Sequence, residues 1–181
     1  MFKPLHMGTN HMLGIDSYTP LTTNNFEIRI YNMDGTSPTE NSDLLTLSTD
    51  SLGPIKEDQD EIIVHYGNGY MKFPAKTTFS NVDWILNCYC KPNVLEALRS
   101  WRKQVYDATT EKMGLPSEYM KQVFFLRYDG AGNAREALRC PGTWINGIDN
   151  GDYDQKGGDI VKVKVQLVIS RVIYMTADEL R

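Results

Sequence analysis

Three cysteines and three histidines are the side chains with the most chemical potential: Cys88, Cys90, Cys140, His6, His11 and His65. Thiolates and imidazoles together suggest zinc, whose structural sites usually place two to four residues between paired cysteines. Cys88-Tyr89-Cys90 leaves one residue between them, in a run that reads as a strand, so both thiols share a face. They are read as ordinary buried or surface cysteines. "DNGDYDQKGGD" offers Asp149, Asp152 and Asp154 as oxygen ligands. A calcium loop of the EF-hand type needs a fixed acid pattern, a closing Glu and two flanking helices. None of these is present, and the stretch reads as a hairpin loop. "DGAGNA", from Asp129, lacks the strand-to-helix setting of a phosphate cradle and reads as a turn. There is no Gly-x-Ser-x-Gly and no His-Glu-x-x-His. Two of the three histidines lie in a ragged N-terminal stretch, which argues against a His-based nucleophilic site. The reading is of a protein without catalytic centre, metal or cofactor.

The elements that must position these residues are mostly strands. "NFEIRIY" sets Phe26, Ile28 and Ile30 against Glu27, Arg29 and Tyr31, a half-buried strand. A turn-rich insertion, Asn32 to Asp43, precedes "DLLTLSTD", which reads as a short second strand. "SLGPIKEDQ" reads as a loop. "DEIIVHY" and "YMKFPAKT" flank Gly67-Asn68-Gly69, a hairpin signal because Asn-Gly accepts positive φ. Pro74 puts the second of these strands at an edge or bulge. "TTFSNVDWILNCYC" then carries Val82, Trp84, Leu86, Cys88 and Cys90 on one face, yet Ile85 and Tyr89 on the other beside Asp83 and Asn87. Something must cover part of that second face.

A single helix is expected over about 93–109, with an apolar stripe of Val94, Leu98, Trp101 and Val105. Asn93 caps it, and Glu96 completes a capping box. Downstream come "YMKQVFFLRYD", "AREALRC" and a closing strand "IVKVKVQLVISRVIY", which reads as the longest, with Val161, Val163, Val165, Leu167 and Ile169 on one face. About eight strands and one helix, without regular alternation, give a mainly β fold: an antiparallel β-sandwich or partly closed barrel with one flanking α-helix. The chain divides into an arm (1–23), one β-domain (24–176) and a short tail (177–181).

With 181 residues the chain has room for one well-cored domain. Its 41% hydrophobic and 23% charged content is that of an ordinary globular protein. No run of about 18 apolar residues is present to span or anchor in a membrane. The odd cysteine count fits a reducing compartment better than a disulfide framework. A net charge of −4 argues against a protein that grips nucleic acid.

Three stretches together resemble the tail tube proteins of contractile phages. Thr78, Phe79, Asn81, Asp83 and Trp84 match the family's middle motif, in which Thr-Phe and acidic or amide residues precede a Trp that opens a strand. Gly142, Trp144, Ile148 and "DIVKVKVQLVIS" match its late turn and last strand, with Ile145 where the family usually has proline. "NNFEIRIY" resembles its first strand. The resemblance spans about Asn24 to Tyr174, and Phe79, Asp83, Trp84, Trp101, Gly142 and Trp144 are the motif and core residues it identifies.

The resemblance implies a structural subunit and no enzyme. Hexameric rings would stack into a hollow tube that conducts DNA during ejection, inside a contractile sheath. The partners would be the subunit itself, a sheath protein, baseplate and tail-terminator proteins, and phage DNA passing without specific binding. The location would be the virion tail, assembled in the host bacterial cytoplasm. The region after the second strand, Leu52, Gly53, Pro54, Ile55, Lys56 and Glu57, would reach the next ring. A baseplate relative that starts or caps the tube, and the tube of an injection or secretion system, share these features. A monomeric ligand-binding barrel, with Tyr66, Tyr70, Phe73, Phe124 and Phe125 around a pocket, is the reading from a different class.

Overall fold

The computed structural model describes residues 21–91, 93–151 and 158–175. His6, His11, Asp152, Asp154, nearly all of the expected arm and the C-terminal tail lie outside the described residues. In chain order the elements are β1 (Phe26–Asn32), α1 (Ser42–Leu47), β2 (Thr49–Leu52), β3 (Glu57–Tyr66), β4 (Gly69–Phe79), β5 (Val82–Asn87), α2 (Val94–Val105), β6 (Tyr106–Asp107), β7 (Lys112–Met113), α3 (Pro116–Tyr119), β8 (Lys121–Tyr128), β9 (Ala134–Asp149), β10 (Lys162–Val168) and β11 (Ile173–Met175). The fold is mainly β, as expected. One seven-stranded antiparallel sheet has the order β1-β8-β9-β10-β5-β2, with β11 paired to β9, and it is not closed.

β9 turns this sheet around its core. It bends at Pro141-Gly142, where Gly142 takes a φ of 75° that side chains disfavour. Ser170 Oγ donates to the Gly142 carbonyl at 2.9 Å and holds the bend. The two halves of the sheet then face one cluster: Ile28, Ile30, Val123 and Phe125 from one, Val82, Trp84, Leu86, Val163, Val165 and Leu167 from the other. α2 closes the cluster with Val94, Ala97, Leu98 and Trp101. Its N-terminus is capped as expected, Asn93 Oδ1 accepting from Glu96 N at 3.2 Å. The helix stops at Val105, short of the expected end, because Tyr106 and Asp107 turn into β6 and pair with β7.

Several expectations need correction. Of "DLLTLSTD", Asp43 to Leu47 belong to the helix α1 and not to a strand, and only Thr49 and Asp50 lie in a strand, β2. The hydroxyls of Thr46, Ser48 and Thr49 each donate to the carbonyl four residues back, at 2.9, 2.8 and 2.9 Å, which favours a helical turn over a ladder. Three helices, not one, are present among the described residues. The closing strand breaks at Ser170-Arg171, so β9, with 16 residues, is the longest. Val161 is exposed, outside the buried row that Val163 begins. The hairpin turn is Gly67-Asn68, and the positive φ of 57° falls on Gly67.

The insertion after β1 has a visible task. Ile28, Ile30 and Asn32 direct backbone groups away from β8, toward what would be a free edge. The Ile30 N–H donates to Ser42 Oγ at 3.1 Å, and its carbonyl accepts from Thr39 N at 3.0 Å. The Asn32 N–H donates to the Ser37 carbonyl at 3.0 Å, and Thr46 Oγ1 donates to the Ile28 carbonyl. The chain has covered its own edge.

Candidate assembly surface

β3 and β4 form a separate two-stranded sheet that leaves the domain between β2 and β5. The root is fixed by main-chain bonds. Gly53 N donates to the Asp83 carbonyl at 2.7 Å, and Ser80 N to the Lys56 carbonyl at 3.1 Å. A side chain at Gly53 would sit 3.2 Å from that Asp83 oxygen, tighter than ordinary van der Waals contact, so the close approach favours glycine. Tyr174 braces the root by donating from its hydroxyl to Glu57 at 2.8 Å. Above the root the two strands pack on each other and on little else.

The register decides which face each side chain takes: Ile62 pairs with Phe73 and Val64 with Met71 without interruption, so Ile62, Val64, Tyr66, Met71 and Phe73 share one face, and Glu61, Ile63, His65, Tyr70 and Lys72 share the other. Nearer the root, β4 bulges by one residue opposite Asp60. The polar face is internally satisfied in part, with Lys72 Nζ 2.7 Å from Glu61. The apolar face is open: Ile62 is 54% exposed, Tyr66 57%, Met71 56% and Phe73 41%. A lone hairpin is marginal in water. Burying each large side chain of this face would contribute about 1.5–3 kcal/mol.

The stretch expected to reach outward lies just below. Leu52 pairs with Trp84 through β2 and, like Ile55, is half-buried against the chain's own core. Gly53 and Pro54 make the break, while Lys56 and Glu57 are exposed where the hairpin begins. These six residues form the root of the projection. The hairpin itself was legible in sequence, but its open apolar face was not. The available signal was apolar residues on both strands next to a strand pair with no partner segment.

The motif residues organise the interior. Trp84 is fully buried, and its indole donates to Thr49 Oγ1 at 3.1 Å, tying β2 to β5. Trp101 is buried and donates to the Tyr119 carbonyl at 2.8 Å. Trp144 meets Tyr119 edge-to-face with centroids 6.1 Å apart. Phe79 ends β4 half-buried, and Asp83 is exposed. Ile145, where proline was the family expectation, is fully buried and pairs with Leu167.

The second face of β5 is largely a charge lattice. Lys164 meets Asp83 at 3.0 Å, and Lys162 meets Asp50 at 2.8 Å. Asn87 Nδ2 donates to Asp50 at 3.3 Å, and Asn146 to Gln166 at 2.8 Å, with Ile85 half-buried among them. The hydrogen bond from Lys162, supported by Asn87, holds the Asp50 carboxyl below its ordinary range. Of the cysteines, Cys140 is buried, and its thiol is pushed up to about 12 by that burial. Cys88 and Cys90 fall beyond the end of β5. Tyr66, Tyr70 and Phe73 sit exposed on the hairpin while Phe125 is in the core and Phe124 meets Tyr31 edge-to-face, so the aromatics do not line one cavity.

No protein-family model matches the sequence, and no characterised protein matches it either. Solved structures match its fold. A chain of the tube-terminating cap of the anti-feeding prophage is 14% identical over 87% of this chain and 91% of that one, with a TM-score of 0.67. A chain from the extended-state sheath/tube terminator of the extracellular contractile injection system PVC is 13% identical over 87% and 97%, with a TM-score of 0.64. A third, from the PVC sheath-tube complex, is 15% identical over 91% and 97%, with a TM-score of 0.62. The chain has a tail-tube fold. Within that tail-tube fold the β3–β4 hairpin stands apart from the seven-stranded sheet, and β5 and β10 carry the charge lattice.

Proposed function

We propose that this protein is the tube subunit of a contractile phage tail. Its copies close into hexameric rings, the rings stack into a hollow tube inside a contractile sheath, and DNA passes through the lumen during ejection. The role is structural and not enzymatic, and the place of work is the virion tail, assembled in the host bacterial cytoplasm. The observation that carries this reading is the amphipathic hairpin, whose apolar face stands open on a single copy. A second copy supplies the cover, so the exposed face becomes interface. The root, Leu52 to Glu57, belongs to the same inter-ring contact.

The charge lattice of β5 and β10 suits a lumen wall. Both of its lysines are engaged by Asp50 and Asp83, which leaves phosphates little to bind. Sheath, baseplate and terminator proteins would meet the outer surface and the tube ends. The test is negative-stain microscopy with sedimentation velocity across a concentration series. Sixfold rings and tubes are expected, and a single-copy species at every concentration would overturn the reading. A second reading, a subunit that caps or starts the tube, draws on the cap and terminator structures among the similar folds. Copy number per particle separates the two.

A further inference from the structure

Asn-Gly is the dipeptide at which a chain most readily alters its own covalent structure. Asparagine is among the thermolabile residues. A following glycine has no Cβ to shield its nitrogen from the asparagine side-chain carbonyl. The chain holds three such pairs, Asn68-Gly69, Asn146-Gly147 and Asn150-Gly151, and the fold treats them differently.

Two of the pairs are restrained. Asn146 Nδ2 donates to Gln166 Oε1 at 2.8 Å, and Gly147 pairs with Gln166 where β9 lies between β8 and β10. Freeing that glycine nitrogen means opening the middle of the seven-stranded sheet. Asn150 Oδ1 accepts from Arg99 at 3.4 Å, and Gly151 N donates to Asp149 Oδ1 at 3.1 Å. The Gly151 backbone also packs so tightly that a Cβ there would sit 2.4 Å from the Lys162 carbonyl oxygen. Asn68 stands apart from both. It is exposed at the hairpin tip, and its side chain makes no hydrogen bond among the described residues. A Cβ on the neighbouring Gly67 would meet nothing within 4 Å. Gly69 pairs with Tyr66 across a turn that only β3 and β4 support. A lone hairpin is marginal in water, so its end opens at little cost and releases the Gly69 nitrogen.

We propose that Asn68 is a site of self-modification, deamidating in the folded protein through a succinimide closed by the Gly69 nitrogen. That nitrogen gives up its proton to solvent, and its electron pair forms a bond to the Asn68 side-chain carbonyl carbon. The bond from that carbon to the amide nitrogen breaks, and ammonia leaves with the electron pair and a proton from water. Water then opens the imide at one of its two carbonyls. One opening leaves an aspartate in the ordinary chain. The other routes the main chain through the former side chain as an isoaspartyl linkage. Either product replaces a neutral amide with a carboxylate. The isoaspartyl form also adds one carbon to the backbone inside a two-residue turn, which breaks the pairing of Tyr66 with Gly69. Water is the only co-reactant, and nothing in this chemistry depends on how copies assemble.

Peptide mass mapping of the full chain over time in mildly alkaline buffer, folded and in urea, tests it. In urea, where the fold restrains none of the three pairs, they should convert at similar rates. In the folded protein Asn68 should keep close to its urea rate, while Asn146 and Asn150 fall several-fold behind it. Labelling by an isoaspartyl methyltransferase should appear on the Asn68 peptide first. Gly69→Ala should slow conversion of Asn68 several-fold. Gly69 is not among the glycines with positive φ, and a Cβ there would meet only the Tyr66 carbonyl oxygen at 3.7 Å, so the turn should tolerate the change. An Asn68 that survives in folded protein as long as Asn146 and Asn150, or that converts at the wild-type rate in the Gly69→Ala chain, would overturn the proposal.

Discussion

At the scale of single residues, two side chains separate what holds the fold from what adjusts it. Trp101 fills the space between α2 and the sheet and spends its only donor on the Tyr119 carbonyl. Trp101→Ala should therefore cost about 3–5 kcal/mol, the range for truncating a buried aromatic. Trp101→Phe should cost about 1–3 kcal/mol through the carbonyl it orphans. Equilibrium urea unfolding of both variants checks the split, and an unchanged midpoint for the alanine variant would mean that α2 docks elsewhere. Asp129 acts at the surface. The Asn133 N–H chiefly, then the Arg135 and Asn133 side chains and the Ala131 N–H, hold its carboxyl down at about 2. A depressed carboxyl contributes stability above its ordinary value near 3.8 and loses it as pH falls from there toward 2. Asp129→Asn should flatten the acid limb of stability in that window and leave the neutral range nearly level, as read by thermal melts at stepped pH.

At the scale of elements, the hairpin and its root should respond differently to the same kind of change. Ile62→Ser with Phe73→Ser alters residues that are already in water, so circular dichroism and melting should match wild type while tubes disappear from micrographs. Leu52→Ser with Ile55→Ser touches half-buried positions, so it should lower stability by about 1 kcal/mol per site and loosen the hairpin's footing as well. Tubes of normal length from the root variant would remove that stretch from the contact between rings. The two regions also differ in how far the sequence reveals them. Trp84, the capped α2 stripe and the β10 row were legible because each follows a fixed period and a local cap. α1 was not, because Leu-Leu-Thr-Leu suits a strand as well as a helix, and hydroxyl-to-carbonyl bonds decide it. The hairpin's two strands were plain, but periodicity tells which residues share a face and not what covers that face, so the open side of Ile62, Tyr66, Met71 and Phe73 was not.

At the scale of the whole molecule, the lattice on β5 and β10 makes a claim about passage. Asp50→Ala with Asp83→Ala would free Lys162 and Lys164 on the proposed lumen wall. Assembled tubes of that variant should retain short duplex DNA at low salt and release it as salt rises, whereas wild-type tubes should hold none. Co-sedimentation of labelled DNA with tubes reads this directly, and equal retention by both would place the lattice away from the channel. The covered edge of β1 bears on a different moment, before any tube exists. If the protein builds a tube as proposed, unassembled copies must first meet one another at high concentration without pairing wrongly. Ile30 and Asn32 have already satisfied their outward backbone groups on Thr39, Ser42 and Ser37, so β1 cannot seed strand exchange between waiting subunits. In a tube built as proposed, β1 then adds no competing route of association, and growth is left to the hairpin contact.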